Sequence, residues 1–263
     1  MRAEWTTWDR RESGPDDARR RVLLLPGGMC TAGQYAELMA EPELAGVRLI
    51  AVTLPGQGGT PAPSDLGVEH YARLAAECAA DLGCDAVVGH SMGATVALEM
   101  AGAGLFAGPL VLLAPSFSRA DEALALRVID RLGRVLGHLP VAMVLRLADA
   151  AVKGSPLPPE RRAALVADLR RNDPRTARRA FHGYLRYLDR HGSVAPRLCR
   201  AGVPAWVVHG ESGDGGMTDG ERRLLAGCPG ITLVTIPGPS FFTPNEEPAL
   251  VASLTVRALE QVR

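Results

Sequence analysis

Short, nearly uninterrupted apolar runs recur along the chain at residues 21–25, 47–52, 86–88, 110–114, 203–208 and 231–236. Runs of this length, rich in Val, Leu and Ile, predict strands covered on both faces, as in a parallel sheet. Between them lie segments whose apolar positions are spaced three and four apart. The clearest is 68–82, with Tyr71, Leu74, Ala75, Cys78, Ala79 and Leu82 on one face and Gly83 at its end. Residues 34–39 begin another helix in this reading, and 4–11 alternate weakly, predicting a short N-terminal strand. Strand alternating with helix predicts an α/β fold with a mostly parallel, doubly wound sheet.

The strand rhythm stops near residue 116 and resumes near 197. In between, 121–136, 141–152, 159–171 and 173–191 carry helical periodicity and are separated by Pro and Gly. The chain therefore divides into a core of residues 1–115 and 197–263 and a helical insert of residues 116–196. Near the end, Thr218 is placed as the N-cap of a helix over 219–226, and a last helix begins at about residue 248.

Chemistry concentrates where the third apolar run meets its helix, at Gly89-His90-Ser91-Met92-Gly93. A serine on so sharp a strand-to-helix turn leaves no room for side chains two residues to either side, and both positions are glycine. The Met92 backbone N–H then lies at a helix N-terminus, where it can face a developing oxyanion. This stretch resembles the nucleophile elbow of the α/β-hydrolase superfamily, and the insert resembles the helical cap that many members carry after the strand following the elbow helix. By that resemblance Ser91 is the nucleophile. Pro26-Gly27-Gly28 stands where members usually have His-Gly, which makes the Gly28 N–H the second oxyanion donor and Met29 the near alternative. Pro55-Gly56-Gln57-Gly58 is similar to the Pro-Gly-x-Gly loop facing the elbow, and His209-Gly210-Glu211 to the run before the triad acid, which makes Asp214 the acid despite one extra residue in the gap.

The loop after the last strand departs from the pattern. Ile236-Pro237-Gly238 and Glu246-Glu247-Pro248 set its register, and the position of the catalytic histidine falls on Phe241. No histidine follows His209. A phenyl ring neither accepts a proton from a serine nor returns one to a leaving group, and loss of a triad member costs on the order of 10⁴–10⁶ in rate. His209 stands as the candidate substitute base. His90, and His138, His182 and His191 of the insert, are the other histidines weighed for that role. The resemblance thus implies action on the carbonyl of a small ester, thioester or lactone with an incomplete Ser-His-Asp triad. A catalytically degenerate relative that binds a small molecule, and a non-hydrolytic, lyase-type member, are the alternatives.

Composition adds limits. Lys plus Arg and Asp plus Glu balance at 29 each, so no global field points to nucleic acid or a membrane. No apolar run approaches ~20 residues and no secretory leader is read. The five cysteines are scattered and no metal-ligand spacing is seen, which predicts free thiols, a cytoplasmic protein, and no cofactor or metal. From residue 160 to 200, eleven arginines face four acids. A solvated lid face accounts for that excess, and steering of an anionic thioester or an acidic carrier protein is the functional alternative.

Overall fold

Val22, Leu23, Leu24 and Leu25 are all fully buried, because side chains that alternate across a parallel strand meet helices on both faces of the sheet. The computed structural model describes residues 4–153, 157–212, 217–239 and 242–262. Strands β1 (Arg10–Ser13), β2 (Arg21–Leu25), β3 (Arg48–Val52), β4 (Ala86–His90), β5 (Leu110–Leu113), β6 (Ala205–Ser212) and β7 (Ile231–Pro239) form one seven-stranded sheet. Its order is β1-β3-β2-β4-β5-β6-β7, and only the β1–β3 pairing is antiparallel. This is the doubly wound α/β sheet that the apolar pattern predicts.

Helices α1 (Val68–Asp81) and α2 (Met92–Gly102) cover one face, where Leu23, Leu25, Val87 and Val207 join their apolar sides. Between β5 and β6 run α3 (Leu124–Leu136), α4 (Leu139–Arg146), α5 (Ala148–Val152), α6 (Pro159–Arg170), α7 (Pro174–His191) and α8 (Ala195–Ala201). After β6 come α9 (Asp219–Ala226), α10 (Thr243–Glu246) and α11 (Pro248–Glu260). Helix α11 closes the other face on Val22, Leu24, Val88 and Val208. Thr218 caps α9 in a reciprocal box with Glu221.

Three expectations need correction. The N-terminal strand lies at 10–13, not 4–11; residues 4–7 form a 3₁₀ turn, because Trp5 and Trp8, three apart, both dip into the core. The segment beginning at residue 34 is a series of 3₁₀ turns rather than an α-helix. Cys199 of α8 and Cys228, just after α9, are joined by a disulfide with Cα atoms 5.6 Å apart, so these two are not free thiols. The other three cysteines are free, and burial pushes each thiol up to about 12, which leaves them unreactive at neutral pH. No helix among the described residues is long and apolar enough to cross a membrane.

Candidate active site

The sheet order reverses at β2: the next strand in sequence, β3, lies on one side of it and β4 on the other. The crevice at the carboxyl ends of β2 and β4 is where a sheet of this kind opens to a ligand. The Pro26-Gly27-Gly28 turn and Ser91 lie at those two ends.

Ser91 has φ 49° and ψ −117°, a backbone conformation that costs a non-glycine residue about 1–3 kcal/mol. The surroundings hold it there. Its N–H donates to the Leu113 carbonyl at 2.8 Å, and its carbonyl accepts from the Thr95 N–H at 3.1 Å. A Cβ on Gly93 would stand 2.3 Å from the Leu25 oxygen, and one on Gly89 would stand 2.5 Å from the Gly93 oxygen. The two glycines of the motif are thus what lets α2 pack directly on β2 and β4.

The turn after β2 is fixed by side chains that the sequence pattern did not single out. Gly27 N–H donates to Gln34 Oε1 at 2.9 Å, Met29 N–H to Gln57 Oε1 at 2.7 Å, and Cys30 N–H to the Gly27 carbonyl at 3.1 Å. The Gly28 N–H is left without a partner among the described residues. A Cβ on Gly28 would touch the Met92 side chain at 3.7 Å, and one on Gly27 would lie 3.6 Å from Ser91 Cβ. Met92 opens α2, so its N–H has no acceptor within the helix. Two unpaired amides therefore flank the serine, one on each side of the crevice. Met29 N–H, the near alternative, is already engaged by Gln57.

Asn172, between α6 and α7, reaches down onto this turn. Its Nδ2 donates to the Met29 carbonyl at 2.8 Å and its Oδ1 accepts from the Gly58 N–H at 2.8 Å. Thr31 donates to Asp168 of α6 at 2.5 Å, and Arg161 of α6 donates to the Gly33 carbonyl at 2.6 Å and pairs with Glu37. The inserted helices are bound to the loop that carries Gly28. Gln57 occupies the variable position of the Pro-Gly-x-Gly loop, the one sequence feature that pointed toward it. Gln34 and Asn172 carried no such signal.

Hydrogen bonds engage three of the candidate histidines, His90, His182 and His209. Gln34 Oε1 takes the Gly27 N–H, so its Nε2 donates to His90 Nδ1 at 2.9 Å. His90 is thereby the neutral Nε2–H tautomer and braces the turn. His209 Nδ1 donates to its neighbour's carbonyl, Gly210 O, at 3.0 Å, while Nε2 accepts from Thr235 Oγ1 at 3.1 Å and Arg222 Nη1 at 3.2 Å. Burial and the Arg222 guanidinium hold its pKa below the usual histidine value, against the opposing Gly210 bond. Thr235 is on β7 and Arg222 on α9, both beyond β6 from the elbow, with β5 between β6 and β4. Both ring nitrogens are thus engaged, Nε2 by partners on the far side of β6 from Ser91 and Nδ1 by a carbonyl of β6 itself, which argues against His209 as the substitute base. His182 Nδ1 meets Asp130 Oδ1 at 3.1 Å, His191 packs on Tyr187 with ring centroids 4.7 Å apart, and His138 precedes α4. Asp214 and Phe241 lie outside the described residues.

Four of the eleven arginines of residues 160–200 pair with acids outside that segment. Arg161 pairs with Glu37, Arg170 with Asp149, Arg190 with Glu69 and Arg197 with Glu99.

Known proteins share this fold. Solved structures with the same fold include a hydrolase from Oleispira antarctica (15% identity, TM-score 0.72, covering 96% of this chain and 94% of that one). A thermophilic esterase from Thermogutta terrifontis matches at 19% identity and TM-score 0.73, over 97% and 93% of the two chains. The esterase RhEst1 from a Rhodococcus species matches at 20% identity and TM-score 0.72, over 97% and 94%. At these identities the likeness is one of fold. No curated protein sequence matches significantly. A family model described as the alpha/beta hydrolase family matches residues 22–254. That match spans most of the sheet and all of the elbow, and the chain belongs to the alpha/beta hydrolase family.

Proposed function

We propose that this hydrolase-family chain acts on the acyl carbonyl of a small ester, thioester or lactone, with the carbonyl oxygen between the Gly28 and Met92 N–H groups and the carbonyl carbon against Ser91. The observation that carries the reading is the pair of unpaired amides beside a serine forced to φ 49°. Preorganised donors of this kind stabilise a tetrahedral oxyanion without reorganising, and one such donor is worth about 2.7–4 kcal/mol. Asp214 is the triad acid in this reading. Position 241 is phenylalanine, so no imidazole serves there as base or as acid to the leaving group.

That deficiency selects substrates. A leaving group that departs as an anion needs no proton from the enzyme. A thiol has pKa about 8.5, whereas the conjugate acid of an alkoxide is a far weaker acid. Thioesters are therefore the substrates best suited to this site. Arg178, Arg179 and Arg186 line an open groove of about 610 Å³ beside Asp65 and Glu69, which supports an anionic thioester or an acidic carrier protein as the partner. The engagement of both His209 nitrogens favours a second reading, a carbonyl-binding or lyase-type member that forms no acyl-enzyme.

The test compares a short acyl thioester with the matching ethyl ester, using the native chain and Ser91→Ala. With Ser91 attacking, thioester hydrolysis should exceed the about 10³–10⁴-fold over water that the oxyanion pocket and binding supply by themselves, and Ser91→Ala should fall back to that residual level. The ethyl ester should stay near background. A thioester rate that is the same in Ser91→Ala as in the native chain overturns the proposal.

A further inference from the structure

The inserted helix α3 is built inside out. Its buried positions are Asp130 and Gly133, while Leu124, Val128, Leu132 and Val135 face solvent, Leu124 at 69% and Val135 at 85% exposure. At 3.6 residues per turn these four fall within an arc of about 80°. The stripe continues on α4 through Leu139 and Met143, also exposed. Of the ten large apolar side chains exposed among the described residues, eight lie between residues 124 and 147. Scattered exposed leucines need no explanation, but a contiguous apolar face does.

The charge beside the stripe identifies what covers it. Arg131, Arg127 and Arg134 occupy the arc next to Leu124 on α3, and Arg146 adjoins Met143 on α4. From residue 123 to 148 the only acid is Asp130. It is buried and already held by Arg119 at 2.7 Å, by His182 at 3.1 Å and by Arg134 at 3.3 Å. The face is thus apolar with a cationic rim. A second copy docked across a two-fold axis would set these arginines against their own counterparts, which disfavours self-association. A surface of anionic lipid headgroups takes both parts at once: the acyl boundary accepts Leu and Val while the headgroups pair with Arg.

We propose that the α3–α4 face of the insert is a peripheral docking surface for an anionic lipid bilayer. The helices lie in the interface and do not span it. Such a face leaves no long apolar run in the sequence, because its apolar residues recur every three or four positions, which is why the run-length criterion predicts no membrane partner. The proposal stands apart from the chemistry at Ser91, and its test does not use activity.

The test is co-sedimentation of the full chain with vesicles of phosphatidylglycerol and phosphatidylcholine in equal parts, and with phosphatidylcholine alone. The native chain is expected to partition onto the anionic vesicles at least about tenfold more strongly, and less so at high salt. The double variant Val135→Ser/Leu139→Ser should lose about tenfold or more, because both side chains would otherwise leave water. Both are exposed, so the fold is not at stake, and circular dichroism confirms it. Arg131→Gln should weaken binding to anionic vesicles several-fold. Leu105→Ser, an exposed leucine elsewhere, should change nothing. A native chain that stays in the supernatant with anionic vesicles overturns the proposal. So does a solution dimer that Val135→Ser/Leu139→Ser dissociates, because a second copy would then occupy the face.

Discussion

Gly93→Ala is expected to leave little folded protein. The added methyl would sit 2.3 Å from the Leu25 oxygen and 2.5 Å from the Pro26 oxygen. Neither is a flexible side-chain end; both are backbone atoms at the carboxyl end of β2, a central strand bonded to β3 and β4. Relief requires α2 to lift off the sheet, and α2 is buried along nearly its whole length. Overpacking of a rigid core costs about 1–3 kcal/mol and at times more. A clash with fixed backbone belongs at the upper end or beyond it, against a total stability of about 5–15 kcal/mol. Urea titration should show a large fall in midpoint. Gly46→Ala is the control, since a Cβ there meets nothing within 4 Å, and its midpoint should hardly move. Equal midpoints for the two variants would mean that the elbow is not packed as described.

The second large effect is expected from Phe241→His. Strands β6 and β7 remain paired as far as Ser212 and Pro239, which face each other in the ladder. Asp214 follows the first by two residues, and position 241 follows the second by two. The two chains thus leave the sheet at the same level, at the end where Ser91 sits. An imidazole at 241 would supply both the base for Ser91 and the acid for an alkoxide. General acid–base catalysis contributes about 10²–10⁴-fold. Hydrolysis of the ethyl ester should therefore rise at least about 10²-fold, while the thioester, which needs the acid less, should gain less. A folded variant with no gain would show that this loop is out of register with Ser91.

The strands and the elbow were legible because their signals are local. Burial on both faces makes a strand read as an apolar run, and the steric demand of the turn writes glycine at 89 and 93. The same local reading misplaced the N-terminal strand, since Trp5 and Trp8 are three apart and their burial reflects a turn rather than a pleat. The residues that set the geometry of the Gly28 turn were not legible. Gln57 bonds to Met29, 28 positions away, and Asn172 bonds to Gly58 and Met29 across 114 and 143 positions. The Pro-Gly-x-Gly loop points to the place of Gln57 but not to its partner, and nothing near Asn172 in sequence announces one. The Cys199–Cys228 bridge was hidden for the same reason: proximity came from α8 and α9 packing together, across a separation of 29 residues. For His209, closeness in sequence to Asp214 suggests a base, whereas a side chain's direction depends on its neighbours in space, and its Nε2 meets Thr235 of β7 and Arg222 of α9.

The most direct test of the account is intact-mass analysis after incubation with a fluorophosphonate probe, whose fluoride departs without a proton. The account predicts one adduct on the native chain, formed slowly for want of a base, absent from Ser91→Ala and formed faster on Phe241→His. An adduct that persists in Ser91→Ala, or none on either the native chain or Phe241→His, would contradict the placement of Ser91 at the reacting carbonyl.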